Sequence, residues 1–180
     1  AAFASAARLG IMIKRSEYLE AAAGVDAVVM DKTGTLTTGN FGVSRLAPAE
    51  GVDGAALLQA AVDAEQHSNH PLAQSILRTA QQARISPEVN DEYEELHGRG
   101  VRARTTKGVV LAGRSSWIRE MSVGQESEIE GVEKKIEGMS GVHVVLDGKY
   151  LGAVGLEDKV RAQSVAMVQR LRELGVRVIA

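Results

Sequence analysis

The short apolar run Val25-Asp26-Ala27-Val28-Val29-Met30 ends directly on Asp31, and that junction constrains the fold more than any other stretch of the chain. So many β-branched and apolar residues in so few positions predict a strand covered on both faces in an α/β sheet, where a continuous apolar run replaces alternation. Ligands of such sheets bind at the carboxyl ends of strands, which is where Asp31 falls. The following turn, Lys32-Thr33-Gly34-Thr35-Leu36-Thr37, offers three hydroxyls around one glycine, beside a lysine cation. Backbone N–H groups and hydroxyls there can surround a phosphate held against the Asp31 carboxylate. The competing reading is a polar turn that Asp31 merely caps. Single residues favour the cap; the whole heptapeptide in this setting favours chemistry.

The far end of the chain repeats the α/β texture. Val160 to Leu174 reads as an amphipathic helix, and Gly175 leads into the apolar run Val176 to Ile179, a helix followed by a parallel strand. The stretch between differs. Thr38 to Val43 reads as a turn into a short strand, and Pro48, Gly51 and Gly54 mark a boundary. Helices are expected from Ala55 to Gln66 and from Pro71 to about Arg84, the second with Leu72, Ile76 and Ala80 on one face. Strands follow at Val89–Leu96, Val101–Thr106 and Val109–Ala112, with Lys107-Gly108 as a hairpin turn. Trp117 and Ile118 begin a short helix, and Glu126 to Glu137 reads as an exposed charged one. Strands Val142–Leu146 and Tyr150–Val154 flank Asp147-Gly148, a strong hairpin signal. The expected organisation is an α/β domain split between residues 22–45 and 155–180, interrupted by an α+β insertion of antiparallel strands and helices.

Composition excludes several classes. With 44% hydrophobic residues over 180 positions the chain can bury a real core. Its 21 basic and 23 acidic residues are mixed along the chain, leaving no nucleic-acid footprint. The absence of cysteine excludes disulfides and thiolate metal sites. No apolar run approaches the roughly 20 residues that span a bilayer.

A second constellation lies in the inserted part. Glu65 precedes a break and His70-Pro71 follows it, so a helix–turn–helix can bring carboxylate and imidazole to one pocket. Gly98-Arg99-Gly100 and Ala112-Gly113 supply glycines where backbone can approach a ligand closely. An imidazole can stack on adenine, a carboxylate can accept from its exocyclic amine, and bare glycines leave room for ribose and phosphates. The plainer reading of His70 is a helix-start residue. His67, His97 and His143 lack metal-ligand spacing and read as surface or strand positions, and Trp117 reads as packing. Asp158 and Arg161 are either a helix-start Asp with an exposed Arg or a hinge pair.

Asp31-Lys32-Thr33-Gly34-Thr35-Leu36-Thr37 resembles the phosphorylation motif of the P-type cation-transporting ATPases. Glu65, Ser68, His70, Pro71, Gly98, Gly100 and Gly113 resemble the nucleotide-binding signature of the heavy-metal branch. Asn69 stands where Glu is usual, and Arg114 where Asn often follows the last glycine. The resemblance implies a haloacid-dehalogenase-like Rossmann core, incomplete here, with an inserted nucleotide-binding domain. On that basis residues 1–21 link from a membrane helix, 22–45 and 155–180 belong to the phosphorylation domain, and 46–154 form the nucleotide-binding domain. It further implies that Asp31 accepts the γ-phosphate of ATP, that Asp31 and the Thr33 carbonyl help hold Mg2+, and that Lys32 and Thr35 serve the transferred phosphate. Asp158 and Arg161 then match the hinge, with Arg161 supporting the phosphate or the domain interface.

The implied parent exports copper or a zinc/cadmium/cobalt-group metal, with this part on the cytoplasmic face of the cell membrane. Its partners are ATP, the actuator and transmembrane domains of the same chain, and a metal ion bound elsewhere. The family's later Thr-Gly-Asp and Gly-Asp-Gly-x-x-x-Asp elements do not occur here, so this stretch alone is expected to bind nucleotide weakly and not to turn it over. Two alternatives remain: a soluble dehalogenase-type phosphatase with a cap, which would want a second acid where Thr33 stands, and a non-catalytic nucleotide-binding module.

Overall fold

The computed structural model describes residues 2–90 and 92–180, leaving aside the side chains of Ala2 and Thr33. In chain order it runs α1 (Ala2–Arg8), α2 (Ser16–Ala23), β1 (Ala27–Val29), a wide π-type turn (Lys32–Leu36), β2 (Thr37–Pro48), α3 (Gly54–Glu65) and α4 (Pro71–Gln82). It continues with β3 (Glu92–Leu96), β4 (Gly100–Thr105), β5 (Gly108–Gly113), α5 (Ser115–Met121), α6 (Glu126–Lys135), β6 (Ser140–Leu146), β7 (Lys149–Val160), α7 (Ala162–Glu173) and β8 (Arg177–Ile179). The chain divides into two units, Ala1–Thr37 with Val160–Ala180, and Thr38–Lys159. None of the helices among the described residues is long and apolar enough to cross a membrane.

In the first unit β1 and β8 pair in parallel, Ala27 with Arg177 and Val29 with Ile179. The ladder is extended at both ends by Arg177 N–H to Asp26 O and Met30 N–H to Ile179 O, each 2.8 Å. The helix-then-parallel-strand order at the end of the chain is present as α7 and β8. Burial of β1 on both faces is not: Val29 is 79% exposed. Within this unit β1 has a single partner strand, and so small a sheet has too little surface to cover both faces of either strand.

The second unit is built on a six-stranded antiparallel sheet in the order β2-β7-β6-β5-β4-β3. Strand alternation sends successive side chains to opposite faces, and both faces are covered. Val110 and Ala112 of β5, with Val142 and Val144 of β6, pack with Leu57, Ala61 and Val62 of α3 and with Ile76 of α4. Leu111 and Val145 point the other way, into a cluster with Trp117 and Ile118 of α5 and Ile129 and Val132 of α6. A register shift opposite Val144 and Val145 puts one extra residue into β7, so Tyr150 and Ala153 share the second face while Leu151 and Val154 share the first. Such a bulge reverses the in–out parity of everything beyond it.

Several expectations are corrected here. β2 and β7 each run for 12 residues, longer than the glycines and the proline of the sequence suggested, and residues 38–45 therefore belong to the second unit. The 105–108 hairpin turns at Thr106-Lys107, one residue earlier than expected, since Thr105 pairs with Gly108; the Thr105 hydroxyl accepts from Lys107 N–H at 3.1 Å and so closes the turn. Asp147 and Gly148 both have positive φ, 49° and 81°, as the expected hairpin requires. α6 is not simply solvated: Ile129 and Val132 are fully buried, and its Glu133 receives Arg119 Nη2 at 2.6 Å and the Ser115 hydroxyl. His143 is on a strand, one of its two expected places, and is buried there, with Nδ1 2.8 Å from the Tyr150 hydroxyl.

Candidate functional site

Each unit carries one constellation. In the first, Asp31 follows β1 after Met30 and opens the wide turn; its φ and ψ of −66° and 137° are extended, and its side chain makes no capping bond to the turn. The carboxylate is exposed at the carboxyl end of a parallel strand. Gly34 takes φ 82°, a conformation that a Cβ would penalise. The buried Thr37 hydroxyl staples the turn, accepting from Gly34 N–H at 3.1 Å and donating to Lys32 O at 3.0 Å. Lys32 and Thr35 are exposed beside it. Thr33 occupies the second position of the turn, but its side chain lies outside the described residues.

The remaining carbonyl anchors come from the start of α7. Arg161 donates from Nε to Thr37 O and from Nη2 to Gly34 O, both at 2.9 Å, and its backbone N–H bonds Leu36 O at 3.0 Å. The buried Ser164 hydroxyl adds a bond to Leu36 O at 2.8 Å. Arg161 thus straps the Asp31 turn by its carbonyls. Ser164 escaped the sequence reading, and only its place one turn into α7, three residues after Arg161, could have signalled it. Asp158 lies on β7 in the other unit, so the expected pair straddles the boundary.

The second constellation is a cleft of about 420 Å³ in the second unit, within the size range of small-molecule sites. Glu65, Ser68, His70, Gly98, Gly100, Gly113 and Arg114 all line it; Pro71 does not. Pro71 instead fills the first helical position of α4, where its fixed φ suits the helix. His70 is the N-cap: its Nδ1 accepts from Leu72 N–H at 3.2 Å, so the neutral ring carries its proton on Nε2. Its backbone N–H is held by the Ser68 hydroxyl at 3.2 Å. The helix-start role and the place in the cleft coexist.

Glu65 ends α3 and is 6% exposed. Burial pushes its carboxyl up to about 7, opposed by the Ser68 hydroxyl and reinforced by the neighbouring Glu95 charge. At neutral pH it can therefore either donate or accept a hydrogen bond. Glu95, His97 and Arg99 also line the cleft. They were missed, although they flank Gly98 closely in sequence. Gly141 and Val142 of β6 complete the wall; only the sheet order brings them there.

The glycines divide into two kinds. Gly98 has φ 72° with open space where a Cβ would stand, whereas a Cβ on Gly100 or Gly113 would strike backbone at 2.2 Å or 2.4 Å. The last two are therefore bare because strands and α5 crowd them, and the room they leave is a by-product. Among the described residues no group of three or more His, Asp or Glu side chains is placed to hold a metal ion.

A model of the haloacid dehalogenase-like hydrolase family matches residues 25–180. The chain is 37% identical over 176 residues to a cadmium, zinc and cobalt-transporting ATPase of Bacillus subtilis (strain 168), covering 98% of this chain and 24% of that protein. Among solved structures it is similar to a zinc-transporting PIB-type ATPase in the E2.Pi state, with TM-score 0.69 and 32% identity over 86% of this chain and 25% of the other. The catalytic domain of the CPx-ATPase CopB-B shares the fold, with TM-score 0.73 at 20% identity over 99% of this chain and 62% of that domain structure. The chain spans about a quarter of the length of the curated relatives it matches. It belongs to the haloacid dehalogenase-like hydrolase family, and the relatives that it matches are heavy-metal P-type ATPases.

Proposed function

We propose that this chain is the ATP-binding and phosphate-accepting portion of a heavy-metal-transporting P-type ATPase, working at the cytoplasmic face of a membrane. The observation that carries the reading is the convergence of Glu65, Ser68, His70, Gly98, Gly100 and Gly113 into one cleft, in a unit inserted between the two parts of the unit that holds Asp31. Adenine lies against the His70 ring with its amine at Glu65, and ribose and phosphates run along the Gly98–Gly100 backbone. Residues 38–159 then act as the nucleotide-binding domain, and the remainder as part of the phosphorylation domain.

For transfer, an Asp31 carboxylate oxygen attacks the γ-phosphorus of ATP. The new O–P bond gives an aspartyl phosphate as the bridging bond to ADP breaks, and ADP leaves with the electron pair. Lys32 and Thr35 supply charge and a hydroxyl to the moving phosphoryl group, while Arg161 and Ser164 keep the turn in shape. Donor and acceptor sit in different units, so the reaction requires their approach. Mg2+, when bound, neutralises phosphate charge; this chain's side chains fit it only in part, with Asp31 as the available carboxylate. The driven metal ion, copper or one of the zinc/cadmium/cobalt group, binds in transmembrane helices of the longer chain, where the actuator domain also belongs. Thr33, in place of a second acid, favours a persistent aspartyl phosphate over the rapid hydrolysis of a soluble phosphatase.

Nucleotide titration of the wild type, His70→Gln and Glu65→Ala tests the cleft. Both variants should bind ATP at least about tenfold more weakly, a loss of roughly 1.4 kcal/mol; equal affinity in all three would sink the assignment.

A further inference from the structure

Gly100 and Gly113 are registered partners on β4 and β5, and the indole of Trp117 lies against both. A Cβ on Gly100 would fall 2.9 Å from Trp117 Cζ3, and one on Gly113 would fall 2.8 Å from Trp117 Cε3. Trp117 is 4% exposed and belongs to the cluster on the α5/α6 face. It is absent from the lining of the cleft, whose wall the two glycines form. The helix that carries it is tied to the same wall, since Arg114 N–H bonds Arg99 O at 2.9 Å and Ile118 N–H bonds Arg114 O at 3.1 Å.

Two glycines facing each other have no side chains with which to fix their own depth. A flat, rigid ring behind them does so, and a void there would let the wall sink. Backbone that meets a ligand directly is sensitive to displacements of about 1 Å.

We propose that Trp117 is a positioning residue for the cleft: its indole holds the Gly100–Gly113 backbone at the depth that the sugar and phosphates of a nucleotide require, without touching them. The inference rests on the nucleotide-binding reading of the cleft and adds a residue that neither the motifs nor the lining identify.

The test compares Trp117→Ala, Trp117→Phe and Ile129→Ala in the whole chain. Ile129 is fully buried in the same cluster but lies on α6, so its truncation serves as the control for lost packing. ATP affinity is read by calorimetric titration, and the amide signals of Gly98, Gly100 and Gly113 are read by NMR without nucleotide. W117A and I129A should both lower the melting temperature. Only W117A should shift the glycine signals and weaken ATP by about tenfold or more, and W117F should restore most of the affinity. Trp117→Leu, which keeps the core filled without a flat ring, replaces W117A if that variant does not fold. Equal loss of affinity in W117A and I129A, or ATP binding that W117A leaves intact, would overturn the inference alone. No ATP binding by the wild type would overturn the nucleotide reading beneath it.

Discussion

Arg161 Nε donates to the carbonyl oxygen of Thr37 at 2.9 Å across 124 positions of sequence. With its second bond to Gly34 O, it fixes the turn that begins at Asp31 from the far end of the chain. Arg161→Ala should therefore raise amide exchange at residues 34–37 by about tenfold, while costing only about 1–2 kcal/mol of global stability because the guanidinium is exposed. Arg161→Lys should recover little, since an ammonium cannot bridge two carbonyls in a fork. Hydrogen exchange followed by mass spectrometry, with a parallel denaturant melt, reads both.

Glu65 and His143 should give the chain two opposing pH dependences. Burial raises Glu65 from 4.5 to about 7, so the folded state keeps a proton that the unfolded chain releases. Stability then falls as pH rises between those values. Burial lowers His143 from 6.5 to about 4, against the raising effect of Glu133, so the folded state resists a proton that the unfolded chain takes up. Stability then rises across that window. Each effect is on the order of 3 kcal/mol, and they oppose each other between pH 4.5 and 6.5. Denaturant melts across this range should show Glu65→Gln unmasking a rise and His143→Gln unmasking a fall.

The glycines of the cleft should respond unequally to the same substitution. Gly98→Ala meets open space and pays only for a positive φ, about 1 kcal/mol. Gly100→Ala puts a methyl 2.2 Å from Ala112 O, a backbone clash, and should cost several times as much. Thermal melts of the two variants decide, and similar melting points would mean that the wall gives way.

Much of this was legible from local signals. Pro71 marks the start of α4, Asp147-Gly148 turns its hairpin, and the alternation of β5 and β6 sorts side chains to two faces. Features that depend on partners distant in sequence were not. The start of β2 reads as a turn into a short strand over residues 38–43, because its full length comes from pairing in the sheet. The charge of α6 hides an apolar edge that only α5 and β6 reveal. The heptapeptide and the glycines stand out as residue types, but which glycine borders open space and which is crowded by backbone and Trp117 is a matter of packing. Ser164 carries no local mark beyond its place three residues after Arg161.

The central claim is that Asp31 accepts phosphate. Full-length protein incubated with γ-labelled ATP should yield an acid-stable, hydroxylamine-sensitive phosphoprotein, and Asp31→Asn should yield none. Undiminished labelling of the Asp31→Asn protein would contradict the account.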